Sequence, residues 1–268
     1  MESIMRLPDI EFLNMLADAA DRETMSRFRT ALDAETKPKE GYSFDPVTEA
    51  DRAAEKAIRD LIRKKFPEHA ILGEEYGAEG DGNVQWVLDP IDGTRPFLCG
   101  LPVWGTLIGL SVDGRARIGM MSQPVTGERF WSDGEKSYLQ RAGGASILRT
   151  GKTTDLSKAI LHTNAPEQVE RHRHVPFANL VSAVRMTRYG GECYAFAMLA
   201  AGQIDLCVEF NLQPYDIMAL IPIIEAAGGV ITGLDGQRVE QGGFVLASAN
   251  SVLHEKALEI LNAGRKRD

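Results

Sequence analysis

The stretch Trp86-Val87-Leu88-Asp89-Pro90-Ile91-Asp92-Gly93-Thr94-Arg95 constrains this chain more than any other. An apolar run that reads as a strand ends in a carboxylate, Asp89, and the next residue, Pro90, has no amide to give to a sheet ladder. Asp92 follows, then Gly93, which permits close backbone approach, and Thr94, which offers a hydroxyl and an amide. Two carboxylates around one tight turn suit a hard divalent cation that takes oxygen ligands. The amides of Gly93 and Thr94, if they open a helix, face a phosphate. An Asp-Pro/Asp-Gly turn of purely structural use has the same sequence, so the segment alone does not decide between the two.

The elements around it follow from periodicity. Pro8 and Asp9 open a helical pattern with Ile10, Leu13, Leu16, Ala17 and Ala20 inward, and a polar loop runs from Glu35 to Gly41. A second helix begins near Thr48, turns Ala54, Ile58, Leu61 and Ile62 inward, and stops before Pro67. Strands are predicted at 70–72, 85–88, 106–112, 117–121 and 128–131, with hairpins at Asp113-Gly114 and Thr126-Gly127. After a mixed middle section come a helix over 191–201, a strand over 204–209, a helix over 215–227, a strand over 244–247 and a closing helix over 252–263. Strands gathered early and alternating elements later predict layered sheets and helices, as one unit of 268 residues with a weakly marked boundary near residue 150.

Composition narrows the function. A formal net charge of −8 argues against a nucleic-acid or anionic-membrane surface, yet a metal cluster inside an acidic protein still holds a small anion. Cys99, Cys193 and Cys207 have no metal-ligand spacing, and an odd count suits reduced thiols in a cytoplasm. The start, Met1 to Arg6, leads into a helix carrying acids rather than an apolar signal core, and no stretch is long and apolar enough to span a bilayer.

Three further acidic segments each have a bland reading. Gly73-Glu74-Glu75 follows an apolar run, although adjacent acids are usually solvated. In Asp45-Pro46-Val47-Thr48-Glu49-Ala50-Asp51, Thr48 and Asp51 resemble a capping box. In Pro214-Tyr215-Asp216, the acid suits a helix N-terminus. Together and in this order, the four segments resemble the inositol monophosphatase-like phosphatases. That family's pattern is D-x-V-T-x-A-D, G-E-E, W-x-x-D-P-x-D-G-T-x-x-F and a C-terminal W-D entering an E-A-G-G helix. Here it runs through Asp45–Asp51, Gly73–Glu75, Trp86–Phe97, and Tyr215-Asp216 before Glu225–Gly229, over nearly the whole chain. Tyr215 replaces the usual Trp and keeps the aromatic wall, and Lys37 or Lys39 matches a family Lys only ambiguously.

The resemblance implies a layered α-β-α-β-α sandwich of the inositol monophosphatase/fructose-1,6-bisphosphatase type. It implies that Glu74, Asp89 and the Ile91 carbonyl bind one Mg²⁺, and Asp89, Asp92 and Asp216 a second, with two or three ions per site. Asp51 and Thr94 would orient and help deprotonate the attacking water, with Glu74 beside them, and the amides of Gly93 and Thr94 would hold the phosphate. Two ions would offset carboxylate repulsion and clamp an in-line displacement. Family habit implies a homodimer.

Within the family, Gly93 to Leu110, Tyr189-Gly190-Gly191-Glu192-Cys193-Tyr194 and Pro214 to Ile217 look like the histidinol-phosphate phosphatases. Those enzymes commonly carry Asp where Glu192 stands, one methylene shorter. Glu192 and Glu209 could pair with the ammonium and imidazole of histidinol phosphate. Glu209 would serve an inositol hydroxyl equally, and Arg95 would reach the phosphate, a partner subunit or only solvent. Histidinol phosphate is therefore the expected substrate, inositol monophosphate the alternative, and a nucleotide 3′-phosphate a third. A phospho-ligand-binding module is the non-enzymatic reading, which the intact carboxylate set disfavours. His172 and His174, on an expected helix, would not share a face, and belong to a solvated stretch. Met120, Met121, Met186, Met198 and Met218 read as core filler, and Cys193 and Cys207 as small buried hydrophobes.

Overall fold

Asp9 accepts a hydrogen bond from the Phe12 amide (3.0 Å) and opens the helix Ile10–Met25, whose Phe12, Leu13, Leu16, Ala17 and Ala20 are buried. The second helix, Glu49–Lys65, starts from Thr48 and buries Ala54, Ile58 and Ile62. These two helices pack together against one face of a large sheet, around Trp86, Leu88, Ile108, Leu110, Ile118 and Met120. The computed structural model describes residues 7–31, 33–36 and 46–263. Met1 to Arg6, Lys37, Lys39 and Asp45, which entered the sequence reading, lie outside them.

The large sheet has eight strands in the order Gly144–Ile147, Ser137–Arg141, Glu128–Ser132, Arg115–Gln123, Gly105–Val112, Val84–Asp92, Ala70–Gly73 and Gly77–Glu79. All neighbours are antiparallel except Ala70–Gly73 and Val84–Asp92, which run parallel. A five-stranded sheet follows in the order Met186–Tyr189, Ile160–Thr163, Leu206–Leu212, Gly243–Ser248 and Val230–Thr232. Between the sheets lie the helices Glu192–Ala200 and Leu220–Ala226, whose Phe196, Leu199, Ile221 and Ile224 join Leu107 and Met121 of one sheet to Cys207 and Val245 of the other. The helices Phe177–Ala183 and Ser251–Leu261 cover the outer face of the smaller sheet through Leu180, Leu253, Ala257 and Leu261. The layering is thus α-β-α-β-α. Strand alternation produces it: Leu206 and Val208 face the outer helices, while Cys207 and Glu209 face inward.

All seven predicted strands and both hairpins are present. Asp113 (φ +51°) and Gly114 (φ +74°) are both left-handed, as a two-residue hairpin requires. Corrections fall where segments are short or polar. Glu35–Thr36 is not loop but pairs with Pro46–Val47. Strands at Gly77–Glu79, Ser137–Arg141, Gly144–Ile147, Ile160–Thr163, Met186–Tyr189 and Val230–Thr232 went unread, several of them on sheet edges where no apolar alternation is needed. Met186 lies on such an edge and is exposed rather than core, and Met198 is only partly buried. His172 ends the helix Pro166–Arg171 rather than sitting within one, and it stacks on Phe210 with ring centroids 4.7 Å apart.

The helix expected over 215–227 is two helices, Pro214–Ile217 and Leu220–Ala226. Pro222 has no amide to return to Met218, so the backbone ladder is interrupted there. The interruption lies flat on the large sheet over Gly109 and Gly119, which face each other across adjacent strands. A β-carbon on Gly119 would sit 2.0 Å from the Ala219 carbonyl oxygen, and one on Gly109 would sit 2.9 Å from the Ala219 nitrogen. The two glycines therefore form a slot that sets the height of this segment above the sheet.

Candidate active site

Four carboxylates gather at the edge of the inter-sheet layer, each with one oxygen tied to a main-chain amide. Asp89, on the inward face of Val84–Asp92, accepts from the Ile91 amide (3.1 Å). Asp92 accepts from the Cys193 amide (2.6 Å), at the start of the central helix Glu192–Ala200. Asp216 accepts from the Gln213 amide (2.6 Å), and Asp51 from the Thr48 amide (2.9 Å). Asp51 closes the capping box the sequence suggested, and Asp216, expected as an acid at a helix N-terminus, closes another with Gln213, so in these acids the structural reading and the site reading hold together. Such bonds fix each side chain in place and direct its second oxygen elsewhere.

Asp89, Asp92 and Asp216 also converge: one oxygen from each lies within 4.8 Å of the others. Glu74 adjoins them, on the turn after Ala70–Gly73, with its amide donating to the Leu88 carbonyl (3.1 Å). Concentrated negative charge has the expected electrostatic effect. Burial first, then Glu74, Asp92 and Asp216, push the Asp89 carboxyl well above its ordinary range. Burial and then Glu192 push Asp92 up to about 7. A set of hard oxygen donors converging in this way fits a divalent ion such as Mg²⁺.

Beside the cluster, Gly93 (φ +92°) precedes the short helix Thr94–Leu98, so the helix start that the Gly93 and Thr94 amides required is present. Glycine is required at 93 twice over, by its left-handed backbone and because a β-carbon would lie 2.9 Å from Glu192 Cγ. The Thr94 hydroxyl lies 3.4 Å from Asp51 Oδ1 and 3.3 Å from the Ile91 carbonyl. Asp51 itself is fully buried.

The cluster opens into a cleft of about 240 Å³ lined at its near end by Glu74, Asp89, Ile91, Asp92, Gly93, Thr94, Arg95 and Asp216. Glu192 and Glu209 also line it, with Asn164, Glu167 and Gln168. Every site residue named from the sequence borders this cleft except Asp51, which stands behind Thr94. Burial pushes Glu192 up to about 7, with Arg95 opposing the shift and Asp216 adding to it. Glu209 rises well above its usual value, through burial first and then Glu192.

Sequence reasoning missed Asn164, which grips Glu192 from both sides: its Nδ2 donates to Glu192 Oε2 (2.7 Å) and its Oδ1 accepts the Glu192 amide (2.8 Å). That grip holds Glu192 at an unusual φ of +46°. Its position just past a parallel strand, Ile160–Thr163, was the available signal, since ligands gather beyond the carboxyl ends of such strands. Also missed were Glu55 and Arg59, buried charges on the apolar side of the helix Glu49–Lys65.

Residues 7–265 match the model of the inositol monophosphatase family. The chain belongs to that family. A histidinol-phosphatase of Streptomyces coelicolor is 38% identical over 96% of this chain and 97% of its own length. The bifunctional phosphatase IMPL2 of Arabidopsis thaliana, a chloroplastic protein, is 38% identical over 92% of this chain and 73% of its own. The solved structure of an inositol monophosphatase from Zymomonas mobilis superposes with a TM-score of 0.83 at 35% identity, covering 95% of this chain and 97% of that one. The family is one of metal-dependent phosphatases, and the chain is accordingly a hydrolase of phosphomonoesters on small molecules. The names of its relatives differ in substrate. Among the described residues no helix is long and apolar enough to cross a membrane.

Proposed function

We propose that this phosphatase hydrolyses histidinol phosphate to histidinol and phosphate, with Mg²⁺ held by Glu74, Asp89, Asp92, Asp216 and the Ile91 carbonyl. The observation that carries the choice of substrate is the pair Glu192, partly buried, and Glu209, buried, in the same cleft, both pushed toward the neutral form. A ligand with an ammonium and an imidazole would relieve that destabilisation through charge-assisted hydrogen bonds, and a polyol would do so less. Mg²⁺, when bound, supplies Lewis-acid polarisation of the phosphoryl group and lowers the pKa of water.

The chain's own groups do the rest. Asp51, with Oδ2 fixed by the Thr48 amide, is placed to accept a proton relayed through the Thr94 hydroxyl and so to orient the attacking water. The Gly93 and Thr94 amides, at the start of Thr94–Leu98, face the phosphate. Glu192, gripped by Asn164, and Glu209, on the rigid strand Leu206–Leu212, set the far end of the substrate. A homodimer in a reducing cytoplasm belongs to the same proposal, and the unpaired state of Cys99, Cys193 and Cys207 supports the reducing compartment.

The test is phosphate release from histidinol phosphate and inositol 1-phosphate in parallel with Mg²⁺ present, with Asp92→Asn as control. A preference for histidinol phosphate that vanishes in the variant is the expected result. Preference for the inositol ester would replace the proposed substrate, and turnover of neither by folded, Mg²⁺-loaded protein would sink the phosphomonoesters named here. Sedimentation velocity tests the dimer.

A further inference from the structure

The helix Glu49–Lys65 places three charged side chains on its buried face at helical spacing: Asp51, Glu55 and Arg59. Asp51 borders the reacting groups, whereas Glu55 and Arg59 lie outside the cleft. Glu55 is fully buried, and its Oε1 accepts from Arg59 Nε (2.7 Å), which compensates its charge. Arg59 also donates to Glu79 Oε2 (3.0 Å) and to the Gly77 carbonyl, so it is anchored at both ends of its fork.

The remaining capacity of the Glu55 carboxylate goes to one turn. Its Oε2 accepts the Glu75 amide (2.7 Å) and its Oε1 the Tyr76 amide (3.2 Å). Glu74 sits one residue before, with its own amide on the Leu88 carbonyl (3.1 Å) of the strand that carries Asp89. All three amides of the connection between Gly73 and Gly77 are thereby held, one by the strand and two by Glu55. The contact is close enough to dictate the neighbouring residue: a β-carbon on Gly73 would fall 1.9 Å from Glu55 Oε1.

We propose that Glu55 is a positioning residue for the metal site, clamping the Gly73–Gly77 turn so that the Glu74 carboxylate is presented to Asp89, Asp92 and Asp216. This rests on the reading of that cluster as a Mg²⁺ site. Without the clamp the two partly buried amides need other acceptors, and the turn carrying Glu74 moves to find them. Glutamine at 55 keeps the shape but turns one acceptor oxygen into a donor, set against either Arg59 or a main-chain amide.

The experiment is calorimetric titration of Mg²⁺ into the purified full-length protein and its variants, without substrate. Glu55→Gln should weaken the Mg²⁺ dissociation constant about 10–100-fold, as loss of a supporting partner typically does. Gly73→Ala, which displaces the same carboxylate from the other side, should weaken it likewise and carries the test if Glu55→Gln does not fold. Leu16→Ala, in the core of the adjoining helix, separates loosening of this turn from general loss of stability and should bind Mg²⁺ as the unaltered protein does. Folded Glu55→Gln protein with affinity within about twofold of the unaltered chain would overturn the assignment, since the effect expected is tenfold or more. So would an equal loss in Leu16→Ala. Absence of Mg²⁺ binding by the unaltered protein would overturn the metal reading itself, and this assignment with it.

Discussion

Gly119→Ala is expected to disturb the site through the segment packed on the inner face of the large sheet. The added methyl would sit 2.0 Å from the Ala219 carbonyl oxygen, 2.7 Å from its carbon and 2.9 Å from its Cα. Real β-carbons essentially never approach closer than 3.0 Å, so at least about 1 Å of movement is needed, and every atom in the way is backbone. The strand Arg115–Gln123 is held on both sides within the sheet, so the segment that yields is Met218–Ala219. Asp216 lies at the other end of the same short connection, capped by Gln213. Overpacking of this kind costs about 1–3 kcal/mol and more when backbone must shift. For a chain of this size that lowers Tm by roughly 2–12 °C. A shift of about 1 Å in a functional carboxylate lowers turnover by about 100-fold. Thermal unfolding and Mg²⁺-dependent phosphate release measure both, with Gly143→Ala as control because a β-carbon there meets nothing within 4 Å. If Gly119→Ala matched Gly143→Ala in both Tm and turnover, the two-glycine slot would not be what sets the position of Asp216.

Three further outcomes follow from the site. Asp89 and Asp92 have folded-state pKa values raised above their unfolded ones, so ionising them opposes folding; metal-free protein should lose stability as pH rises from about 4 to about 7. Added Mg²⁺ should then raise Tm more at pH 7.5 than at pH 5.5, where protons compete for the same oxygens; equal shifts at the two pH values would refute that coupling. Glu192→Gln keeps an acceptor for Asn164 but removes the charge, and should raise KM for histidinol phosphate about tenfold while leaving inositol 1-phosphate nearly unchanged; parallel loss for both esters would show that Glu192 does not read the cation. Asp51→Asn retains an oxygen for the Thr48 amide, so stability should change by about 1 kcal/mol or less while kcat falls about 10²–10⁴-fold; a variant with near-normal kcat would remove Asp51 from the proton path.

Local chemistry alone wrote much of this protein into its sequence. The caps at Asp9 and Thr48, the Asp113-Gly114 hairpin and the main strands depend on neighbours within a few residues, and the structure has them where periodicity and turn chemistry put them. Asp89, Asp92, Gly93 and Thr94 were legible for the same reason, because one strand end and one turn carry them all. What only tertiary structure decided is which distant groups meet. Nothing near Asn164 in sequence says that it will grip Glu192, and nothing near Gly109 or Gly119 says that the backbone at Ala219 will rest on them. Glu55 and Arg59 look like a surface ion pair at helical spacing until the turn after Gly73 folds over them. Those contacts are set by how sheets stack and helices settle between them, a long-range packing condition that no window along the chain contains.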